Sequence, residues 1–187
     1  MRPSEAWISP QSIDGRLGFS LFELLIAIIM IGILTGIAAS RLDYGRYRAD
    51  SVARGLAAEI GGAQRLAVSL QENVRVTVLD SARVQIHEDA DNDGAIGAGE
   101  RVRTIQLADG FFFGQGSAPD VPSPSDPTPL DQIVLRRDGT SNRSGTFYLM
   151  GPGGDSACHH CRAIAVSRAT GRLVSFSYAT GTWKRAN

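Results

Sequence analysis

Twelve consecutive residues, Asp89 to Glu100, have the spacing of a calcium-binding loop. Asp89, Asp91 and Asp93 stand at alternate positions, a glycine follows, and Ala95 can offer its backbone carbonyl before Glu100 closes the pattern. Because Ca²⁺ prefers carboxylate and carbonyl oxygens, these five residues form a candidate Ca²⁺ site. The flanking residues alternate like strands, and the ninth position is a glycine that cannot hold a bridging water. An acidic hairpin turn that binds no metal is therefore the alternative.

A second cluster, Cys158-His159-His160-Cys161, combines residue types that bind metals or change redox state. Four consecutive side chains do not readily converge on one tetrahedral Zn²⁺. Haem attachment requires a histidine directly after the second cysteine, where Arg162 stands. A thioredoxin-like pair needs a helix N-terminus, whereas a strand is expected to start at Cys161. The favoured interpretation is a local disulfide between Cys158 and Cys161, which fits an oxidising compartment.

The sequence contains no recognisable catalytic arrangement. Its three histidines, His87, His159 and His160, are not accompanied by a nucleophile elbow, a triad order or a phosphate-binding glycine loop. We therefore predict a protein that is not an enzyme and that requires no cofactor, with Ca²⁺ as its one candidate ion.

An apolar segment near the N-terminus has the length of a membrane span. Between Phe19 and Ala39, Glu23 is the only ionisable residue. At about 1.5 Å per residue, this stretch is long enough to cross a hydrocarbon core of about 30 Å. The sequence predicts a transmembrane helix over residues 19–40. A carboxylate in lipid costs about 2.5–3.5 kcal/mol, so Glu23 either reaches the headgroups or has a specific partner.

Beyond this segment the apolar pattern becomes amphipathic. Apolar residues recur at spacings of three and four, which predicts that the helix continues through residues 41–72 with one buried stripe. The stripe consists of Val52, Leu56, Ile60, Ala63, Ala67 and Leu70.

From residue 73 onward the period changes to two, which is typical of half-buried strands. Strand candidates cover residues 74–78, 84–87, 102–107, 110–114, 132–136, 146–150, 162–167 and 173–178. The proline-rich residues 117–130 are expected to form an exposed loop. The chain is therefore predicted to have an α+β fold, in which a long N-terminal helix packs on an antiparallel β-sheet domain of residues 73–187.

The junction before the apolar segment resembles the processing site of type IV pilins and pseudopilins. Gly18 is followed by Phe19, and Glu23 stands five residues after the glycine. The resemblance implies a leader peptide of residues 1–18, which a prepilin peptidase removes between Gly18 and Phe19 before Phe19 is N-methylated. It also implies that Glu23 pairs with the ammonium group of Phe19 in a neighbouring subunit, and that the partners are other pilins or pseudopilins in a filament.

Within this superfamily the chain is most similar to the GspH/FimT group, which includes the minor pseudopilin H of type II secretion. The similarity lies in the acidic loop that ends at Glu100, in the turn at residues 137–140 and in the strand at residues 163–167 that leads to residues 170–172. It implies a pilin-like fold and a single span of the bacterial inner membrane, with residues 73–187 in the periplasm. The implied function is that of a structural subunit near the tip of a pseudopilus, acting in assembly and protein export.

The alternative is a FimT-like minor type IV pilin that primes pilus assembly or binds DNA for uptake. Arg172, Lys184 and Arg185 are the candidate DNA contacts, but Val174 stands where the DNA-binding relatives have a second arginine. The formal net charge of the chain is zero. These two observations argue against DNA as a partner.

Overall fold

The structure is a computed structural model and describes residues 19–39, 43–154, 158 and 160–186. The chain divides into two units after residue 42, and each unit is described by itself below. The predicted leader, including Gly18, lies outside the described residues.

The first unit contains helix α1, Leu21–Ala39. Ser20 caps its start, because the Ser20 hydroxyl oxygen accepts a hydrogen bond from the backbone N–H of Glu23 at 3.1 Å. The helix is long and apolar enough to span a membrane, by length and composition alone. Its described side chains are exposed in the isolated chain.

The second unit begins with helix α2, Tyr44–Leu70. The Asp43 carboxylate caps this helix by accepting a hydrogen bond from the Arg46 N–H at 3.0 Å, and the backbone of Asp43 is not helical. The predicted continuation of the first helix through residues 41–72 is corrected: these residues form a second helix with its own cap, which begins at Tyr44 and ends at Leu70. Gln71 terminates it with a left-handed backbone.

The described residues after α2 contain nine strands: β1 Asn73–Val78, β2 Arg83–Asp89, β3 Val102–Gln106, β4 Phe112–Phe113, β5 Gln132–Leu135, β6 Gly145–Met150, β7 Arg162–Val166, β8 Leu173–Ala179 and β9 Thr182–Arg185. They form two sheets, with the orders β3-β2-β1-β5 and β4-β6-β7-β8-β9, and all their pairings are antiparallel. The predicted α+β class is confirmed. The structure corrects the prediction in having two sheets rather than one, and a ninth strand.

Helix α2 packs on both sheets and supplies one side of the main core. Of the predicted stripe, all members are buried except Leu70, which is 43% exposed. Leu70 is the last residue of the helix, so it lies where the chain turns away towards β1. Sheet residues complete the core: Val74, Val76, Val84, Ile86, Ile133, Leu135, Phe147, Leu149, Ile164 and Val166.

The proline-rich connection at residues 117–130 is a mostly exposed loop, as predicted, but it also has buried residues. These are Ala118, Val121 and Leu130. Val121 packs with Tyr148 and Ala163 on the face of the second sheet that is opposite to the main core. The loop therefore covers part of a sheet surface, while most of its residues face solvent.

Candidate functional site

The acidic loop connects β2 with β3 and begins with a partly buried ion pair. Asp89, the last residue of β2, is fully buried, and its Oδ2 lies 2.5 Å from Nε of Arg75 in β1. Its Oδ1 accepts a hydrogen bond from the Gly94 N–H at 3.3 Å. The guanidinium also lies over Gly94, since a Cβ added to this glycine would come 2.9 Å from Cζ of Arg75. Arg75 thus supplies a positive charge inside the loop.

The next two aspartates shape the turn. Asp91 Oδ1 accepts a hydrogen bond from the Asp93 N–H at 3.1 Å, and Asp93 Oδ1 accepts one from the Ala95 N–H at 2.7 Å. Carboxylate oxygens of Asp89, Asp91 and Asp93 all lie within 4.8 Å of one another. These three residues could hold a metal ion, so the predicted spacing does bring them together.

Glu100 has a different role from the other acids. Its Oε1 accepts a hydrogen bond from the Ala90 N–H at 2.9 Å, and its Oε2 accepts one from the Gly97 N–H at 2.7 Å. Oε2 also lies 2.7 Å from Nε2 of His87, and both side chains are nearly buried. The Gly97 hydrogen bond, followed by the His87 contact, lowers the pKa of Glu100 from 4.5 to about 2. Glu100 therefore closes the loop through protein donors and does not join the three aspartates.

The cysteine cluster forms a small loop against the start of α2. Cys158 and Cys161 are joined by a disulfide and are buried, so they offer no thiolate to a metal ion. His159 lies outside the described residues. His160 packs against Gly45 and Gly151, and its buried Nδ1 has no hydrogen-bond partner among the residues that the structure describes.

Two polar side chains attach α2 to the second sheet. Arg162 of β7 is buried, and its Nε donates to the Asp50 carboxylate at 2.7 Å, while its guanidinium also donates to the backbone carbonyl of Arg46. Further along α2, Gln64 Nε2 donates to the carbonyls of Gly139 and Thr170 at 2.7 and 3.1 Å. Gln64 thereby joins the turn that contains Gly139 to the turn that contains Thr170.

The three candidate DNA contacts do not form one surface. Arg172 and Arg185 line a cavity of about 580 Å³ beside β8 and β9, whereas Lys184 is absent from its lining. The strand register explains the difference, because Arg185 pairs with Phe176 and Lys184 pairs with the neighbouring Ser177, so the two basic residues point to opposite faces.

The predicted processing and assembly residues lie at the start of α1. Phe19 is 81% exposed, and Glu23 is exposed within the first turn. Within the described ranges, Glu23 forms no ion pair with any residue. The position at the positive end of the helix dipole favours a carboxylate there.

Several residues of these sites were not predicted from the sequence. Arg75 and His87 face each other across β1 and β2, Arg162 reaches back to the first turns of α2, and Gln64 bridges two turns. The only signal in the sequence was the strand alternation, which assigns Arg75 and His87 to a face of their strands but does not predict which residue each one contacts.

No family model matches the chain, and neither the curated proteins nor the solved structures include a significant match.

Proposed function

We propose that this protein is a minor pseudopilin, a structural subunit of the periplasmic pseudopilus of a type II secretion system. The observation that carries the proposal is the single acid, Glu23, in the first turn of an otherwise apolar helix with exposed side chains. The second unit, which joins α2 to two antiparallel sheets, is consistent with a pilin-like domain.

In this proposal the acid has its partner in another subunit. Cleavage between Gly18 and Phe19 creates a new ammonium group at Phe19, four residues before Glu23. An unpaired carboxylate in lipid is costly, so pairing with the ammonium group of a neighbouring subunit favours assembly over isolated subunits. The protein is then anchored in the bacterial inner membrane by α1, has its second unit in the periplasm, and contacts other pseudopilins near the tip of the filament.

The first test is the mass and the N-terminal sequence of the full chain, purified from membranes with and without an active prepilin peptidase. We expect a chain that starts at N-methyl-Phe19 only when the peptidase is active. A chain that starts at Met1 in both membranes would contradict the proposal.

The second test separates assembly from processing. Glu23→Gln should still be cleaved after Gly18 but should no longer be crosslinked to neighbouring subunits. Glu59→Gln is the matched control, because Glu59 forms only an exposed ion pair with Arg103 on the second unit. Equal crosslinking of the wild type and Glu23→Gln would count against the assigned role of this acid.

The second candidate is a FimT-like minor pilin that primes a type IV pilus. One observation favours DNA binding by such a pilin. Arg172 and Arg185 line the same cavity as Trp183, whose ring could stack on a base. Lys184 lies on the opposite face, and Asp126 lines the same cavity. The pseudopilin function therefore remains our conclusion.

A further inference from the structure

The second sheet has a groove on the face opposite to its contacts with α2. The side chains of Val174, Phe176 and Trp183 form its floor, and the proline-rich segment at residues 122–126 forms one wall. The cavity has a volume of about 580 Å³, which lies within the usual range of ligand sites.

The wall of this groove is anchored at two points. The indole Nε1 of Trp183 donates to the Pro119 carbonyl at 2.6 Å, before the wall segment, and the Tyr148 hydroxyl donates to the Pro127 carbonyl at 3.0 Å, after it. Two prolines within the segment further restrict its backbone. The groove is thus formed without a ligand, and binding would require little reordering of the wall.

Two arginines give the groove its charge. Arg172 and Arg185 are exposed, and neither forms an ion pair with any residue in the described part of the chain. Guanidinium groups bind carboxylates through paired N–H donors. The single acid of the lining is Asp126, whose pKa is lowered by hydrogen bonds from Thr128, so it is ionised at neutral pH.

We propose that this groove binds an extended peptide segment of a partner protein, in which acidic and apolar side chains alternate. The acidic side chains would pair with Arg172 and Arg185, and the apolar ones would contact Val174 and Phe176. The Asp126 carboxylate can accept hydrogen bonds from backbone N–H groups of the peptide, and the hydroxyl groups of the wall serines can donate to it or accept from it. A nucleic acid strand fits less well, because every nucleotide carries a phosphate and one would pass Asp126, whereas the alternating peptide can place an uncharged side chain there.

The test uses the full chain in detergent micelles with Trp7→Phe, which leaves Trp183 as the only tryptophan. The probe is a labelled seven-residue peptide in which glutamate and aspartate alternate with valine and leucine. The matched control peptide carries glutamine and asparagine instead. Fluorescence anisotropy reports binding, and the emission of Trp183 reports whether the peptide occupies the groove.

We expect saturable binding of the acidic peptide with a change in Trp183 emission, and at least about tenfold weaker binding of the neutral peptide. Arg172→Gln combined with Arg185→Gln should weaken the acidic peptide about tenfold, whereas Lys184→Gln, on the other face, should change it little. No saturable binding, equal binding of both peptides, or an equal loss with Lys184→Gln would overturn the proposal. Tighter binding of a twelve-residue oligothymidylate that depends on the two arginines would instead assign the groove to nucleic acid.

This inference does not depend on processing or assembly. A chain that is cleaved after Gly18 but does not bind the peptide would leave the pseudopilin proposal intact. A chain that binds the peptide but is never cleaved would contradict the pseudopilin proposal and support only the proposal for the groove.

Discussion

Gly171 lies in the turn between β7 and β8, at a point where no side chain fits. A Cβ at this position would overlap with Nε2 of Gln64 and with the carbonyl oxygen of Gly139. The backbone is also left-handed, with φ of +59°. We therefore expect Gly171→Ala to strain the backbone and to displace Gln64 from the turns that it joins.

The expected cost has three contributions. A left-handed backbone costs a non-glycine residue roughly 1–2 kcal/mol, and overpacking costs about 1–3 kcal/mol more. Loss of the hydrogen bonds from Gln64 to Gly139 and Thr170 adds about 1 kcal/mol. Gly171→Ala should therefore lower the free energy of unfolding by about 3–6 kcal/mol.

Gly181, in the turn between β8 and β9, provides a matched control. Its φ is +81°, but a Cβ there would meet nothing within 4 Å. Gly181→Ala should therefore show only the backbone cost of roughly 1–2 kcal/mol. Equilibrium unfolding of the full chain in urea and detergent, followed by far-UV circular dichroism, measures both variants. Equal destabilisation by the two substitutions would refute the close approach at Gly171.

Three further predictions concern α2 and the acidic loop. Gly45→Ala should destabilise the protein by about 1–3 kcal/mol, because the added Cβ would lie 2.5 Å from Cε1 of His160. Gly55→Ala adds a Cβ that meets nothing within 4 Å, so it should stabilise the protein by about 0.5–1 kcal/mol in the same unfolding assay. His160→Ala should remove the penalty of the first substitution. Arg75→Gln should increase the rise in melting temperature that Ca²⁺ causes relative to EDTA, because it frees the carboxylate of the buried Asp89. An equal rise in the wild type and the variant would contradict this prediction. The folded-state pKa of Glu100 lies below its ordinary value, so its stabilising contribution is complete above pH 4.5 and is lost as the pH falls towards 2. The wild type should therefore lose more stability across this window than Glu100→Gln, and parallel losses would show that the interactions of this carboxylate do not stabilise the fold.

β1 and β2 were predicted from their alternation, whereas every residue of β6 and β7 is buried, so those two strands were predicted from short apolar runs between turn residues. Val74 and Val76 of β1 are fully buried, and this burial is the reason for the alternation seen in the sequence. β9 could not be found in this way, because the side chains of Thr182, Lys184 and Arg185 are all exposed. Its position depends on the Thr180-Gly181 turn, whose two residues both have positive φ angles and return the chain beside β8.

The candidate metal loop shows a similar division. Local spacing was sufficient to bring Asp89, Asp91 and Asp93 together, because alternate positions of a short turn are close in space in any case. The side chains of the sheet that contact this loop are set by the pairing of β1 with β2, which places Arg75 opposite His87. The residue pattern within the loop carries no information on that register. The sequence therefore could not show that the carboxylates of Asp89 and Glu100 already form ion pairs or hydrogen bonds with other groups of the protein.

The attachment of α2 to the second sheet combines two kinds of contact with different consequences. Apolar contacts of side chains such as Leu56 and Ile60 are not directional, so they oppose separation of the helix from the sheets more than sliding along its axis. The hydrogen bonds of Arg162 to Asp50, and of Gln64 to the turns, have fixed partners at two separate positions along the helix. A pull along α2 must therefore break these directional bonds before the helix can slide. The polar residues on α2 thus fix its axial position, while the apolar stripe supplies most of its burial.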